Sequence, residues 1–187
     1  MNIFALDLDV KKCAEMHNDK HCIKMILEHC QLLSTAHRVL DGNEVVVKSK
    51  TGRNTKRWLL SDERENLLYS ATHMNHPSAI WCRQSPSNYL WLVDLTEALC
   101  KEYTYRYGKV HKCEQIGLIK MLKSVPKNIP VGLFTQPTPA MPDNCKVPGD
   151  SIQSYRNYYI NNKTHLASWK GKVNSRNVPE WFNYALV

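Results

Sequence analysis

Nowhere in these 187 residues does an apolar run approach the ~20 residues that cross a bilayer. The first residues lack a basic stretch followed by an apolar core, so no secretory signal is expected. G-x-G-x-x-G, P-loop and G-x-S-x-G patterns are missing. Dinucleotide binding, ATP use and hydrolase triads therefore lose support. There are seven cysteines and no C-x-x-C pair, and several fall at apolar helical positions. Free, buried thiols fit a reducing compartment. These absences predict a soluble, cytoplasmic protein (in a host cell, if phage-encoded) with no membrane association. Acid is in deficit: 17 Asp and Glu stand against 25 Lys and Arg, a net charge of +8. That balance favours a polyanionic partner, DNA or nucleotide.

What is present reads as one mainly α domain over 1–187 with a small β-hairpin insertion. A helical region runs from Asp9 to Leu40, broken near Asn18-Asp19 and stopped by Asp41-Gly42-Asn43. Residues 41–60 change period and read as a basic hairpin or loop, with Lys48, Lys50, Arg53, Lys56 and Arg57 clustered on it. Ser61 predicts a helix N-cap with the helix running towards Thr72. His76-Pro77 precedes a short helix, and Ser85-Pro86 opens a long one that ends at Gly108. Lys112 to Lys123 is a further helix candidate. Residues 126–150 hold Pro126, Pro130, Pro137, Pro139, Pro142 and Pro148, a rigid connection across the surface. Ser151 to Asn161 reads as a tyrosine-rich helix, and Pro179-Glu180-Trp181-Phe182 as an aromatic anchor.

The chemistry concentrates on the early helix. His17, Lys20, His21, Lys24, Glu28 and Gln31 recur at spacings of three and four, which puts them in one stripe. Ile23, Met25, Ile26, Leu27, Cys30, Leu32 and Leu33 cover the rest of the circumference. A helix apolar on so much of its surface is usually buried, so the stripe is expected to line a cleft. The competing reading is a solvated face with ion pairs such as Lys24 to Glu28. His17 and His21 at i and i+4 suit a metal, but lysines on the same face repel a cation, and no metal or cofactor is called for. Cys22 lies off the stripe and reads as core. Lysines confined among histidines would supply a neutral amine able to attack an aldehyde-like sugar carbon. The same lysines would equally serve as phosphate binders.

A second constellation interleaves aromatics with base. Trp81, Arg83, Tyr89 and Trp91 are followed by Tyr103, Tyr105, Arg106, Tyr107, Lys109, His111 and Lys112. Aromatics can stack on unpaired bases while Arg and Lys hold the backbone. Arg53, Lys56, Arg57, His73, His76, Arg83, Arg106, Lys109 and His111 are the candidate nucleic-acid contacts.

The order of these features resembles the phage-type pyrimidine-dimer DNA glycosylases, the endonuclease V that acts on ultraviolet damage. Ala14-Glu15-Met16-His17 is similar to their first-helix entry. His76-Pro77 through Glu102 to Arg106-Tyr107-Gly108 is similar to their central helices and basic glycine turn. Pro179-Glu180-Trp181-Phe182 is similar to their closing aromatic tail. The chain also looks like uncharacterised proteins of large tailed phages that share Asp-Lys-His (here Asp19-Lys20-His21) and Tyr-Gly-Lys-x-His (here Tyr107 to His111). The glycosylase resemblance implies an α-amino nucleophile on the residue after the initiator Met. Here that residue is Asn2, whose size hinders Met removal. It also implies a glutamate on the first helix, where Lys24 stands, with Glu28 one turn further on.

Together these readings predict a DNA-acting enzyme of glycosylase or lyase type. Lys20, Lys24 or the N-terminal amine would be the nucleophile, Glu28 would stabilise the sugar cation, and His17 or His21 would move protons. The alternatives are a non-catalytic phage accessory protein that binds nucleotide or nucleic acid, and a metal-dependent phosphoesterase.

Overall fold

Residues 3–6 set the geometry of the rest. The structure, a computed structural model, describes residues 1–49 and 51–183, so Lys50 of the basic cluster lies outside the described residues. Ile3, Ala5 and Leu6 are fully buried and Phe4 nearly so, which makes the N-terminal segment part of the core. Asp9 then caps α1 (Val10–Met16) by accepting from the Lys11 and Lys12 amides. The break expected near Asn18-Asp19 falls at His17 and Asn18. Both are extended, and the Asn18 side chain caps α2 (Asp19–Asp41) through the His21 amide at 2.8 Å.

The central element is α2. It packs against α5 (Pro86–Tyr107) and α4 (Pro77–Cys82), with α5 also lying along α1. Met25, Ile26, Cys30, Leu32, Leu33 and Ala36 of α2 meet Leu92, Leu95 and Leu99 of α5 in one core cluster. Ser85 caps α5 and Gly108 ends it at φ 64°, a left-handed conformation in which glycine meets no Cβ penalty.

The hairpin is real: β1 (Asn43–Lys48) pairs antiparallel with β2 (Asn54–Leu59), with Val45 opposite Arg57 and Val46 opposite Lys56. Most of its residues are exposed, and it projects from the end of α2.

Two helix expectations need correction. The helix from Ser61 towards Thr72 is only α3 (Arg64–Leu67), and Ser61 does not cap it. The cause is Arg38, whose buried guanidinium takes the carbonyls of Trp58, Glu65, Leu68 and Tyr69. An extended chain supplies those acceptors where a continued helix would spend them on itself. Lys112 to Lys123 divides into α6 (Lys112–Gln115) and α7 (Leu118–Leu122) at Gly117, φ 78°.

Residues 126–150 form the irregular connection expected of their prolines, pinned by Thr135, which accepts from Trp81 Nε1 at 3.0 Å and donates to Asn88 at 2.8 Å. The chain then enters α8 (Ser151–Asn162), and α9 (Glu180–Asn183) places Phe182 in the core. Among the described residues no helix is long and apolar enough to cross a membrane.

Candidate active site

The stripe of the early helix comes apart in three dimensions. His17 is the C-cap of α1, so it shares no helix with His21. It is fully buried, with Nδ1 2.7 Å from the Cys13 carbonyl, and burial lowers its pKa to about 4. His21 is almost as enclosed. Its Nδ1 lies 2.6 Å from the Tyr159 hydroxyl, and its ring stacks on Phe4 at 4.3 Å. Burial, with the positive groups of His17, Lys163, Lys24 and Lys20, brings its pKa down to about 3. These two imidazoles are neutral core groups and line no open cleft, which corrects the expectation that they work as acid-base groups on a bound substrate.

The ammonium groups go the other way. Lys20 and Lys24 are exposed, Lys24 with 61% of its side-chain surface in solvent. They sit about 100° or less around the helix from His21, enough to turn them out of the core. The confinement that would have released a neutral lysine amine is therefore missing.

Glu28 is the residue of the stripe that gathers partners. Its side chain is 13% exposed, with Oε1 3.0 Å from Lys24 Nζ. Its Oε2 accepts from the backbone nitrogen of Asn2, also at 3.0 Å. Asn2 is held in turn: its Nδ2 donates to the Ala140 carbonyl at 2.8 Å, and its Oδ1 accepts from the Ile3 amide at 2.8 Å. His76 lies in the same neighbourhood. Burial lowers its pKa, the terminal amine and His73 lower it further, and Glu28 opposes them. His73 itself is exposed, with a backbone φ of 48°.

The candidate phosphate contacts divide. Arg53, Lys56 and Arg57 are exposed on the hairpin, Lys56 reaching Glu44 at 2.7 Å, and Lys109 is exposed beyond Gly108. Arg106 is a correction. It is fully buried and binds Glu102, Asp19 and the carbonyls of His17 and Glu15. It ties α5 to the junction of α1 and α2 and cannot reach a phosphate. Arg83 spends its guanidinium on the Met74 and Ala79 carbonyls. His76 and His111 cap α4 and α6 by accepting a backbone N–H at Nδ1, a role open only to a neutral imidazole.

A groove of about 540 Å³ between α1 and α5 is lined by Lys11, Glu15, Asp94, Glu97, Lys101 and Arg176 among others; Tyr105 of the aromatic constellation also lines it, and none of the residues of the histidine and lysine stripe does. Cys22 is buried, as read, and burial pushes its thiol up to about 12. Among the described residues no three His, Cys, Asp or Glu side chains converge as a metal would require.

Sequence reasoning passed over Asn2 as a positioned group. It also passed over Phe4, which stacks on His21, Tyr158, which stacks on Phe4, and Lys163, which lies over Tyr158. The spacing of Tyr155, Tyr158 and Tyr159 on α8 was the available signal. No family model, curated protein or solved structure matches this chain.

Proposed function

We propose that the chain acts on DNA as a glycosylase or lyase, with an amine at the N-terminus as nucleophile and Glu28 as its partner. The observation that carries this reading is the 3.0 Å contact between the Asn2 backbone nitrogen and Glu28 Oε2. Loss of Met1 would turn that nitrogen into a primary amine already seated on a carboxylate. Retention of Met1, which the size of Asn2 favours, leaves the terminal amine one residue away and close enough to His76 to lower its pKa.

In this reading the amine lone pair attacks C1′ of the nucleotide. The C1′–base bond breaks, and its electron pair leaves with the base. Glu28 stabilises the positive charge that develops on the sugar. Loss of a proton from nitrogen and opening of the sugar ring give a Schiff base. Arg53, Lys56, Arg57 and Lys109 hold phosphates around the lesion. The likeness to pyrimidine-dimer glycosylases supports the same assignment.

Incubation with duplex DNA containing an abasic site, followed by borohydride, tests it. The expected result is a covalent adduct on the peptide that carries Met1 or Asn2, and with base-bearing damaged DNA an adduct in wild type that Glu28→Gln does not form. No adduct with any substrate, or an adduct on base-bearing DNA that survives Glu28→Gln, ends the reading. Intact mass shows which residue carries the amine.

The exposed basic hairpin supports a second reading, a protein that binds nucleic acid without turning it over. Tight binding with no chemistry on damaged, modified or abasic DNA would favour it.

A further inference from the structure

His21, Phe4 and Tyr158 form a column of rings. Phe4 stacks on His21 at 4.3 Å with planes 24° apart, and on Tyr158 at 5.8 Å with planes 10° apart. The column runs outward from a buried imidazole to a half-buried phenol. Lys163 finishes it, its Nζ 4.7 Å from the centre of the Tyr158 ring. The middle member is held under strain, since Phe4 has φ 55°, a left-handed backbone that a bulky residue adopts only when its surroundings demand it.

The column has two further properties. Lys163 covers the outer face of the column at Tyr158, while Lys24 and Lys20 add positive charge at its inner end, on His21. The column is also tied to Glu28 through the N-terminal segment: Phe4 lies two residues after Asn2, whose backbone nitrogen donates to Glu28.

We propose that Tyr158 is a stacking shelf for the base of an unpaired nucleotide, with Lys163 as its movable cover. A rigid aromatic face with an ammonium group over it suits a planar base on a phosphate chain. When the base arrives, the Lys163 ammonium leaves the ring and pairs with a phosphate. The base then lies on Tyr158 and its sugar lies towards Glu28. This inference rests on the proposed action on DNA and assigns the nucleotide a place to sit.

The test uses the full chain and a single-stranded oligonucleotide containing 2-aminopurine, whose fluorescence falls on stacking. Wild type is expected to bind and quench. Tyr158→Phe should keep the quench, while Tyr158→Leu should lose it together with about tenfold in affinity. Lys163→Glu should lose the quench, and Lys172→Glu, the same charge change at an exposed lysine, should keep it. This second pair decides the matter if Tyr158→Leu fails to fold. Binding and quenching unchanged in Tyr158→Leu or Lys163→Glu overturn the shelf and leave the action on DNA standing. A wild-type protein that binds neither this oligonucleotide nor duplex DNA at low salt overturns both.

Discussion

The Tyr159 hydroxyl and His21 Nδ1 meet at 2.6 Å across 138 residues of chain, joining α8 to the start of α2 in the core. That bond belongs to a set of imidazoles kept away from water. His17 and His29 are fully buried, and His37 is bound between Tyr89 and Arg64.

Stability should fall as the medium turns acid. Burial lowers His17 and His37 to about 4, and His21 and His29 to about 3. Unfolded, each takes a proton near pH ~6.5. The depressed imidazoles therefore leave stability intact above about 6.5. They withdraw it as pH falls towards 4, by up to roughly 1.4 kcal/mol per pH unit for each. Urea unfolding at pH values on either side of 6.5 measures this. A midpoint that holds steady down to pH 5 would sink the burial argument, and His21→Gln should flatten the slope.

Arg106→Met is expected to destabilise the fold by about 3 kcal/mol, because Glu102 keeps only Arg176 and the buried carbonyls of His17 and Glu15 lose their donor. Thermal unfolding reads the loss. A variant with near wild-type stability would return Arg106 to the list of phosphate contacts.

The hairpin arginines should behave in the opposite way. Arg53→Ala and Arg57→Ala change exposed side chains, so stability should stay within about 0.5 kcal/mol. DNA affinity should weaken at all sequences, and the salt dependence should drop by about one unit per arginine. Unchanged salt slopes would mean that the hairpin does not touch phosphate.

Gly108→Ala tests the end of α5. At φ 64° an added Cβ is strained, and it would stand 3.3 Å from Val173 Cγ2. A loss of about 1 kcal/mol is expected in equilibrium unfolding. A neutral effect would show that the turn relaxes.

Much of this fold was legible because its signals are local. Asp9, Asn18, His76 and Ser85 are side-chain caps beside apolar periodicity, and Gly108 is a left-handed stop. What misled was anything decided at long range. The four-residue helix α3 is short because Arg38, on another element, claims its neighbours' carbonyls. Arg106 looked like surface base because its partners Asp19 and Glu15 lie about 90 positions earlier. Lys20, His21, Lys24 and Glu28 do share a helix, but periodicity cannot say which edge faces the core, and His17 closes the preceding helix instead. Glu28 was singled out from sequence, and its partner Asn2 becomes visible only once the N-terminal segment is folded in.

That buried N-terminal segment gives the chain an awkward biography. Phe4 packs against Tyr155, Tyr158 and Tyr159, about 150 positions further along the chain. At roughly 5–20 residues per second of synthesis, about eight to thirty seconds separate the two. Until α8 has emerged, Phe4 has only His21 among its ring partners, so this part of the core closes late.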